Sequence, residues 1–220
     1  MNLIVFASGT GSNAKNIFEL AQKYPNMLSV QALICNKPEA GVLDIAKFFG
    51  IPSHVVVVEK QRTPQDTRQQ HEQKIIAILD TFQFDYICLA GYMRIFSAEF
   101  IQKYPHPIWP VSKIINIHPS LLPSFKGMLG YKNAFDYGVK ISGVTTHFVN
   151  AEVDGGTILH QRIFERHPDD TLQTFVNRGM EQEYICYRQT LLALAQQTEQ
   201  TSSYQHVVAR FLSTARDEES

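Results

Sequence analysis

Short apolar runs that alternate with helix-like stretches constrain most strongly what this chain can fold into. The first run, Leu3 to Ala7, is followed at once by a glycine-containing turn and then by a helix-like stretch that ends near Tyr24. Continuous apolar runs of this length are typical of strands buried on both faces, and strands joined by helices are parallel. We therefore predict an α/β chain whose first two thirds form a doubly wound, mainly parallel sheet with right-handed crossovers.

The same pattern repeats along the chain. We predict further strands at 30–35, 54–58, 86–90 and 113–117, and further helices at 42–49, 65–82 and 97–103. After Gly138 two β-rich segments, 141–149 and 157–164, are separated by one short polar stretch, which favours a mixed or antiparallel pair, and 169–196 predicts a long C-terminal helix. Because no linker-like stretch divides the chain, we expect a single domain over 1–200 and a partly frayed extension over 201–220.

Charge and hydropathy indicate which kinds of partner and which cell compartment to expect. Lys and Arg number 20 against 21 for Asp and Glu, so the net charge of -1 does not favour binding to a nucleic-acid backbone. No apolar run reaches the roughly 20 residues that cross a bilayer. The three cysteines stand far apart among apolar neighbours, which predicts buried thiols rather than disulfides or a zinc site. We expect a cytoplasmic protein with small-molecule partners and no membrane or nucleic-acid partner.

The turn after the first strand is a candidate anion site. Gly11, Ser12 and Asn13 lie where that strand passes into the first helix, and the exposed N–H groups and dipole of a helix N-terminus attract phosphate. The turn is neither a Walker loop nor a GxGxxG fingerprint. A tight turn without a ligand is the alternative.

A second candidate site follows the fifth strand, in the run Asn-Ile-His-Pro-Ser-Leu-Leu-Pro from Asn116 to Pro123. Residues two apart in a strand point to the same face, so the Asn116 amide and the His118 imidazole project together. Ligands of open α/β sheets bind beyond the carboxyl ends of the strands, where this pair is predicted to lie. A structural histidine is the alternative, and Asp154, in Asp-Gly-Gly between the late β segments, has a plain hairpin turn as its alternative.

These motifs resemble those of the folate-dependent formyltransferases, in particular the branch that acts on glycinamide ribonucleotide. The similarity extends from Ile4 to about Arg188 and includes the Gly-Thr-Gly-Ser-Asn turn, Leu-Ala-Gly-Tyr-Met-Arg-Ile at 89–95, the Asn116 to Pro123 run and the Asp-Gly-Gly turn. The resemblance implies a Rossmann-like fold and transfer of a formyl group from 10-formyltetrahydrofolate to the amine of glycinamide ribonucleotide, a step of purine biosynthesis. It implies no metal.

The resemblance also implies roles for individual residues. Asn116, His118 and Asp154 match the catalytic trio, in which the first two stabilise the oxyanion and the carboxylate assists proton transfer. The substrate-binding positions are Gly11, Ser12 and Asn13 for the phosphate and Glu183 for the ribose. The positions for the folate are Arg68, Met93, Arg94 and Ile95, and a cis peptide is expected at Leu122-Pro123.

One loop departs from the family pattern, and several functions stay open. The loop from Phe125 to Gly130 lacks a histidine that other members carry, which affects the contacts expected on the folate side. The alternatives are a formyltetrahydrofolate deformylase, a sugar-nucleotide N-formyltransferase, a methionyl-tRNA formyltransferase, and a phosphate-ligand binding protein without catalysis. The chain is expected to be a monomer or a homodimer.

Overall fold

The computed structural model describes residues 1–196, and the chain divides into two compact units. The first unit contains Met1–Pro105 and Ser112–Ile115, and the second contains His106–Val111 and, of the described residues, 116–196. The expectation of one domain over 1–200 stays a prediction, and the frayed extension over 201–220 lies outside the described residues.

The first unit is built from βα steps. Its elements are β1 (Asn2–Ala7), α1 (Ser12–Lys23), β2 (Ser29–Cys35), α2 (Val42–Phe48), β3 (Ser53–Val55), α3 (Pro64–Leu79), β4 (Tyr86–Leu89), α4 (Ala98–Lys103) and the start of β5 (Ile114–His118). The strands lie in the order β3-β2-β1-β4-β5, and β1 is parallel to both β2 and β4. The strand order therefore reverses between β1 and β4, at the switch point where ligands of such sheets bind.

The core of the first unit explains why its strands are continuous apolar runs. Leu3, Ile4, Val5 and Phe6 have no exposed surface, as expected of a strand covered on both faces. Helix α4 begins where the sequence supplies a cap, because the Ser97 side chain accepts a hydrogen bond from the Phe100 N–H.

The second unit combines the end of β5 with an antiparallel pair and two helices. Its further elements are α5 (Gly130–Tyr137), β6 (Ile141–Phe148), β7 (Ile158–Glu165) and α6 (Leu172–Gln196). Strand β6 lies between β5 and β7 and is antiparallel to β7, with a register shift between Thr146 and His147. Such irregularities re-aim a side chain, and here the shift falls at a histidine close to the candidate site.

The predicted fold class is confirmed: parallel βα steps, an antiparallel pair near the C-terminus and a long final helix. Two details differ. Strand β3 ends at Val55 rather than Val58, and beyond it Val56 is buried whereas Val57 is exposed. Helix α5 was not predicted, because its sequence GYKNAFDY contains few strong helix formers and its stability depends on burial of Ala134.

Cys35, Cys88 and Cys186 are buried thiols, as predicted. Within residues 1–196 no helix is both long and apolar enough to span a membrane. In the same residues no group of three or more histidine, cysteine, aspartate or glutamate side chains is arranged to hold a metal ion.

Candidate active site

The end of β5 presents Asn116 and His118, as the alternation along the strand predicts. His118 is buried, with 3% of its surface exposed, and both of its ring nitrogens face acceptors. Nδ1 lies 3.2 Å from Asp154 Oδ2, and Nε2 donates to the Phe125 carbonyl at 2.9 Å. The ring is therefore fixed in orientation from both sides.

Asp154 reaches His118 from the connection between β6 and β7. Its backbone is in the left-handed region, with φ 51°, which aspartate tolerates better than most residues. The Gly127 N–H donates to Asp154 Oδ2 at 2.8 Å, so the oxygen that faces His118 is held by a second donor. Two residues later only glycine fits, because the backbone of Gly156 lies close to that of Phe148. A Cβ at Gly156 would lie 1.7 Å from the Phe148 carbonyl oxygen.

A second histidine joins this cluster. His147 Nδ1 lies 2.9 Å from the Phe148 carbonyl, which can only accept, so Nδ1 carries the proton and Nε2 is left as an acceptor. Nε2 then accepts from the Asn116 amide at 3.3 Å, which fixes which end of the amide is the donor. The same Nε2 lies 3.6 Å from Asp154 Oδ1. His147 thus contacts two members of the predicted trio, Asn116 and Asp154, directly.

The electrostatics of the cluster favour an ionised Asp154, whereas burial disfavours the protonated form of His118. Burial lowers the pKa of His118, although the Phe125 carbonyl and the Asp154 carboxylate oppose that shift. Burial alone would raise the pKa of Asp154. The Gly127 N–H and the neighbouring His118 outweigh burial and hold that pKa below its usual value.

The segment after His118 is tied down by hydrogen bonds. Thr145 Oγ1 donates to the Ser120 carbonyl at 2.7 Å and accepts from the Leu122 N–H at 3.1 Å. The Leu122-Pro123 peptide is cis, as expected. Ser120 has no exposed surface and its hydroxyl donates to the Ser124 carbonyl, so it is a structural residue rather than a nucleophile.

The candidate anion turn lies in the first unit. Gly11 precedes α1 with φ 85°, and a Cβ at this position would lie 2.6 Å from the Val42 Cβ, so only glycine fits. Ser12 and Asn13 form the first turn of the helix, whose N–H groups are the donors a phosphate requires.

The segment after β4 packs beside this turn, within the same unit. The Ser8 N–H donates to the Gly91 carbonyl at 3.2 Å, and the Met93 N–H donates to Ser8 Oγ at 3.0 Å. Met93 and Ile95 are more than half exposed although they are apolar, and Arg94 lies between them. An apolar, backbone-anchored segment of this kind suits a flat aromatic ligand such as the pterin of a folate. Arg68 is exposed on α3.

Glu183, the predicted ribose contact, is buried on α6 in the second unit. The hydroxyl of Tyr131 on α5 donates to Glu183 Oε1 at 2.6 Å. The structure therefore brings Asn116, His118 and Asp154 together in the second unit. In the first unit it joins Met93 to Ser8, three residues before Gly11.

Sequence reasoning missed three contributors to the cluster around His118. They are the direct contacts of His147, the Phe125 carbonyl and the Gly127 N–H. Gly127 gave a signal, because a glycine between Lys126 and Met128 is typical of a left-handed turn, and its φ is 92°. A backbone carbonyl such as that of Phe125 leaves no trace in the sequence.

Comparison with known proteins shows which family this chain resembles over most of its length. Residues 1–191 match the formyl transferase family. The chain is 38% identical over 183 residues to phosphoribosylglycinamide formyltransferase of Bacillus subtilis (strain 168), covering 83% of this chain and 89% of the relative. It is also 35% identical to the human trifunctional purine biosynthetic protein adenosine-3, but it spans only 18% of that protein's length. A crystal structure of phosphoribosylglycinamide formyltransferase from Bacillus halodurans superposes with a TM-score of 0.81 at 32% identity, covering 90% of this chain and 97% of that one.

The chain belongs to the formyl transferase family, as its motifs predicted. Within that family it is similar to phosphoribosylglycinamide formyltransferases over most of the length of both chains. One of these relatives is the Escherichia coli (strain K12) enzyme, which is 31% identical to this chain.

Proposed function

We propose that this chain transfers the formyl group of 10-formyltetrahydrofolate to the amine of glycinamide ribonucleotide, in purine biosynthesis. The observation that carries the proposal is the cluster of His118, Asp154 and Asn116 at the end of β5, in a chain of the formyl transferase family. The similarity to enzymes named for this reaction supports the choice of substrate.

The reaction is an acyl-type transfer. The neutral amine attacks the formyl carbon, and the carbonyl oxygen becomes an oxyanion on a tetrahedral centre. The bond between the formyl carbon and the folate nitrogen then breaks, and the proton released by the amine ends on that nitrogen. The site must therefore supply donors for the oxyanion and a route for one proton.

His118 and Asn116 are the donors in this proposal. The N–H at His118 Nε2 and the Asn116 amide are bonded to protein acceptors, the Phe125 carbonyl and His147. The oxyanion replaces these acceptors when the substrates bind. Donors aimed at a developing oxyanion in a buried site each contribute about 2.7–4 kcal/mol to transition-state stabilisation.

Asp154 orients the imidazole of His118 and assists the transfer of the proton that the attacking amine loses. Its carboxylate is 10% exposed and ionised, and it faces His118 Nδ1. A carboxylate so placed stabilises the protonated ring that forms when His118 takes part in the proton transfer.

The proposal gives four groups of residues a role in substrate binding. The N–H groups of Gly11, Ser12 and Asn13 would hold the phosphate, and the Glu183 carboxylate would accept from the ribose hydroxyls. Met93, Arg94 and Ile95 would line the folate site, with Arg68 assigned by its match to the family. In this proposal the protein is a cytoplasmic monomer or homodimer and has no nucleic-acid partner.

The test is release of tetrahydrofolate from 10-formyltetrahydrofolate, measured with and without glycinamide ribonucleotide, and detection of the formylated ribonucleotide by mass spectrometry. Release that requires the ribonucleotide and yields the formylated product is the expected result. Release without an amine would show a deformylase instead. The absence of release would contradict the proposed substrate pair.

A further inference from the structure

A glycine inside α6 faces a tyrosine on α5. Gly179 lies one turn before Glu183, and a Cβ at Gly179 would lie 2.3 Å from Tyr131 Cε1 and 2.7 Å from its hydroxyl oxygen. Glycine is the least favourable helix residue after proline, so helix propensity does not account for its presence in the middle of this element. The space that it leaves is filled by the Tyr131 ring.

The Tyr131 ring is held on its other sides by aromatic packing. It makes edge contacts with Phe164 and Phe175, each with 6.3 Å between ring centroids. These two side chains form a buried core cluster with Ala134 of α5. The ring therefore has one position, and that position directs the hydroxyl at Glu183.

The hydroxyl donates to Glu183 Oε1 at 2.6 Å, the short distance typical of a neutral donor to a carboxylate. Burial raises the pKa of Tyr131, and the Glu183 carboxylate raises it further, so the tyrosine keeps its proton. Glu183 is 7% exposed. A carboxylate this deeply buried is not explained by stability alone, since an apolar residue of similar size is often at least as stable.

We propose that Tyr131 is a positioning residue that orients Glu183 toward the ribose hydroxyls of the ribonucleotide, and that Gly179 is required to give Tyr131 this place. A carboxylate that accepts from ribose hydroxyls is a common device for recognising nucleotides. A donor fixed on one carboxylate oxygen restricts the rotamer and directs the group at the sugar. This inference rests on the proposed contact between Glu183 and the ribose.

The first experiment compares glycinamide ribonucleotide with its 2′,3′-dideoxyribose analogue in the formyl-transfer assay. Tyr131→Phe removes one oxygen and keeps the ring. We expect KM for the ribonucleotide to rise about 10-fold, the value of one hydrogen bond to a charged group. The kcat and the KM for the folate should stay near wild type, and the preference for the ribose over the dideoxy sugar should fall. Tyr137→Phe, at the exposed end of the same helix, is the matched control and should change none of these values.

Glu183→Gln distinguishes the contact of Glu183 with the ribose from the positioning role of Tyr131. If Glu183→Gln keeps the wild-type KM and sugar preference, Glu183 does not contact the ribose, and the positioning role of Tyr131 falls with it. If Glu183→Gln loses the preference and Tyr131→Phe keeps it, only the positioning role is overturned. The dependence of folate release on the ribonucleotide in the wild-type protein tests formyl transfer itself, independently of both variants.

The role of Gly179 is tested by thermal unfolding in two backgrounds. Gly179→Ala should lower Tm and raise KM for the ribonucleotide when Tyr131 is present, because the added methyl group displaces the ring. In the Tyr131→Ala background the same substitution should leave Tm unchanged or raise it, because the space is open and alanine favours the helix. Equal effects of Gly179→Ala in the two backgrounds would overturn the inference that Gly179 accommodates Tyr131.

Discussion

His118 Nδ1 lies 3.2 Å from Asp154 Oδ2, and the aspartate keeps that position with a left-handed backbone at φ 51°. A residue other than glycine in this region is held there by its surroundings, which here include the hydrogen bond from the Gly127 N–H. The backbone conformation and the charge of Asp154 therefore both serve the orientation of His118.

Asp154→Asn should separate these two contributions. Asparagine tolerates the left-handed region, so Tm should change little, but the loss of the charge should lower kcat by about 10²- to 10⁴-fold. Steady-state kinetics and thermal unfolding check this. Glu152→Gln is the matched control, since Glu152 is an exposed carboxylate two residues away that pairs with Lys126. Near wild-type kcat in Asp154→Asn would contradict the role of the carboxylate.

Asn13→Asp should weaken ribonucleotide binding far more than folate binding. The substitution places a negative charge in the first turn of α1, beside the proposed phosphate. We expect Kd for the ribonucleotide to rise about 10- to 100-fold, and to do so less at high salt. Isothermal titration with each ligand measures the effect. An equal loss of affinity for both ligands would rule out the phosphate assignment.

Gly11→Ala and Gly9→Ala should differ although they are two residues apart. At Gly11 a Cβ meets Val42 at 2.6 Å and the φ is 85°, whereas at Gly9 no atom lies within 4 Å of the added Cβ. Gly11→Ala should lower the free energy of unfolding by about 1–3 kcal/mol and weaken ribonucleotide binding, and Gly9→Ala should do neither. Chemical denaturation measures the free energy of unfolding of the two variants, and titration measures their affinity for the ribonucleotide. Equal values for Gly11→Ala and Gly9→Ala would show that the turn does not require a glycine at Gly11.

His71 should make the protein less stable as the pH falls from 6.5 to 4. Burial, together with Arg94 and Lys74, lowers the pKa of His71 from 6.5 to about 4, while Nε2 keeps a hydrogen bond of 2.8 Å with the Tyr92 hydroxyl. Between pH 6.5 and 4, His71 is therefore protonated in the unfolded chain but not in the folded chain. The stability lost is on the order of 3 kcal/mol, and all of it is present above pH 6.5.

His71→Gln keeps a partner for Tyr92 and removes the titration. His118 and His160 also have lowered pKa values, so the informative quantity is the difference between the wild type and this variant, measured by chemical denaturation at several pH values. If the two stability curves are parallel between pH 4 and 6.5, His71 does not titrate as the structure indicates.

The sequence predicted the parallel strands and the pair Asn116 and His118, because apolar runs and the two-residue period of a strand are local properties. It predicted Asp154 through a motif, but not that His147 would contact both Asn116 and Asp154. That contact depends on the register shift next to Thr146 and on the fold of the 149–157 connection, which are tertiary properties. Helix α5 was missed for a similar reason, since its residues become helical through burial rather than through propensity.

The most direct test of the account is the turnover of His118→Gln with glycinamide ribonucleotide and 10-formyltetrahydrofolate, with Kd for the ribonucleotide measured in parallel. His167→Gln, an exposed histidine in the second unit, serves as the control. The account predicts that kcat falls by about 10²- to 10³-fold or more in His118→Gln while Kd stays within about threefold, because the ring acts on the oxyanion and not on the bound ribonucleotide. Turnover near the wild-type rate would show that His118 does not carry the reaction.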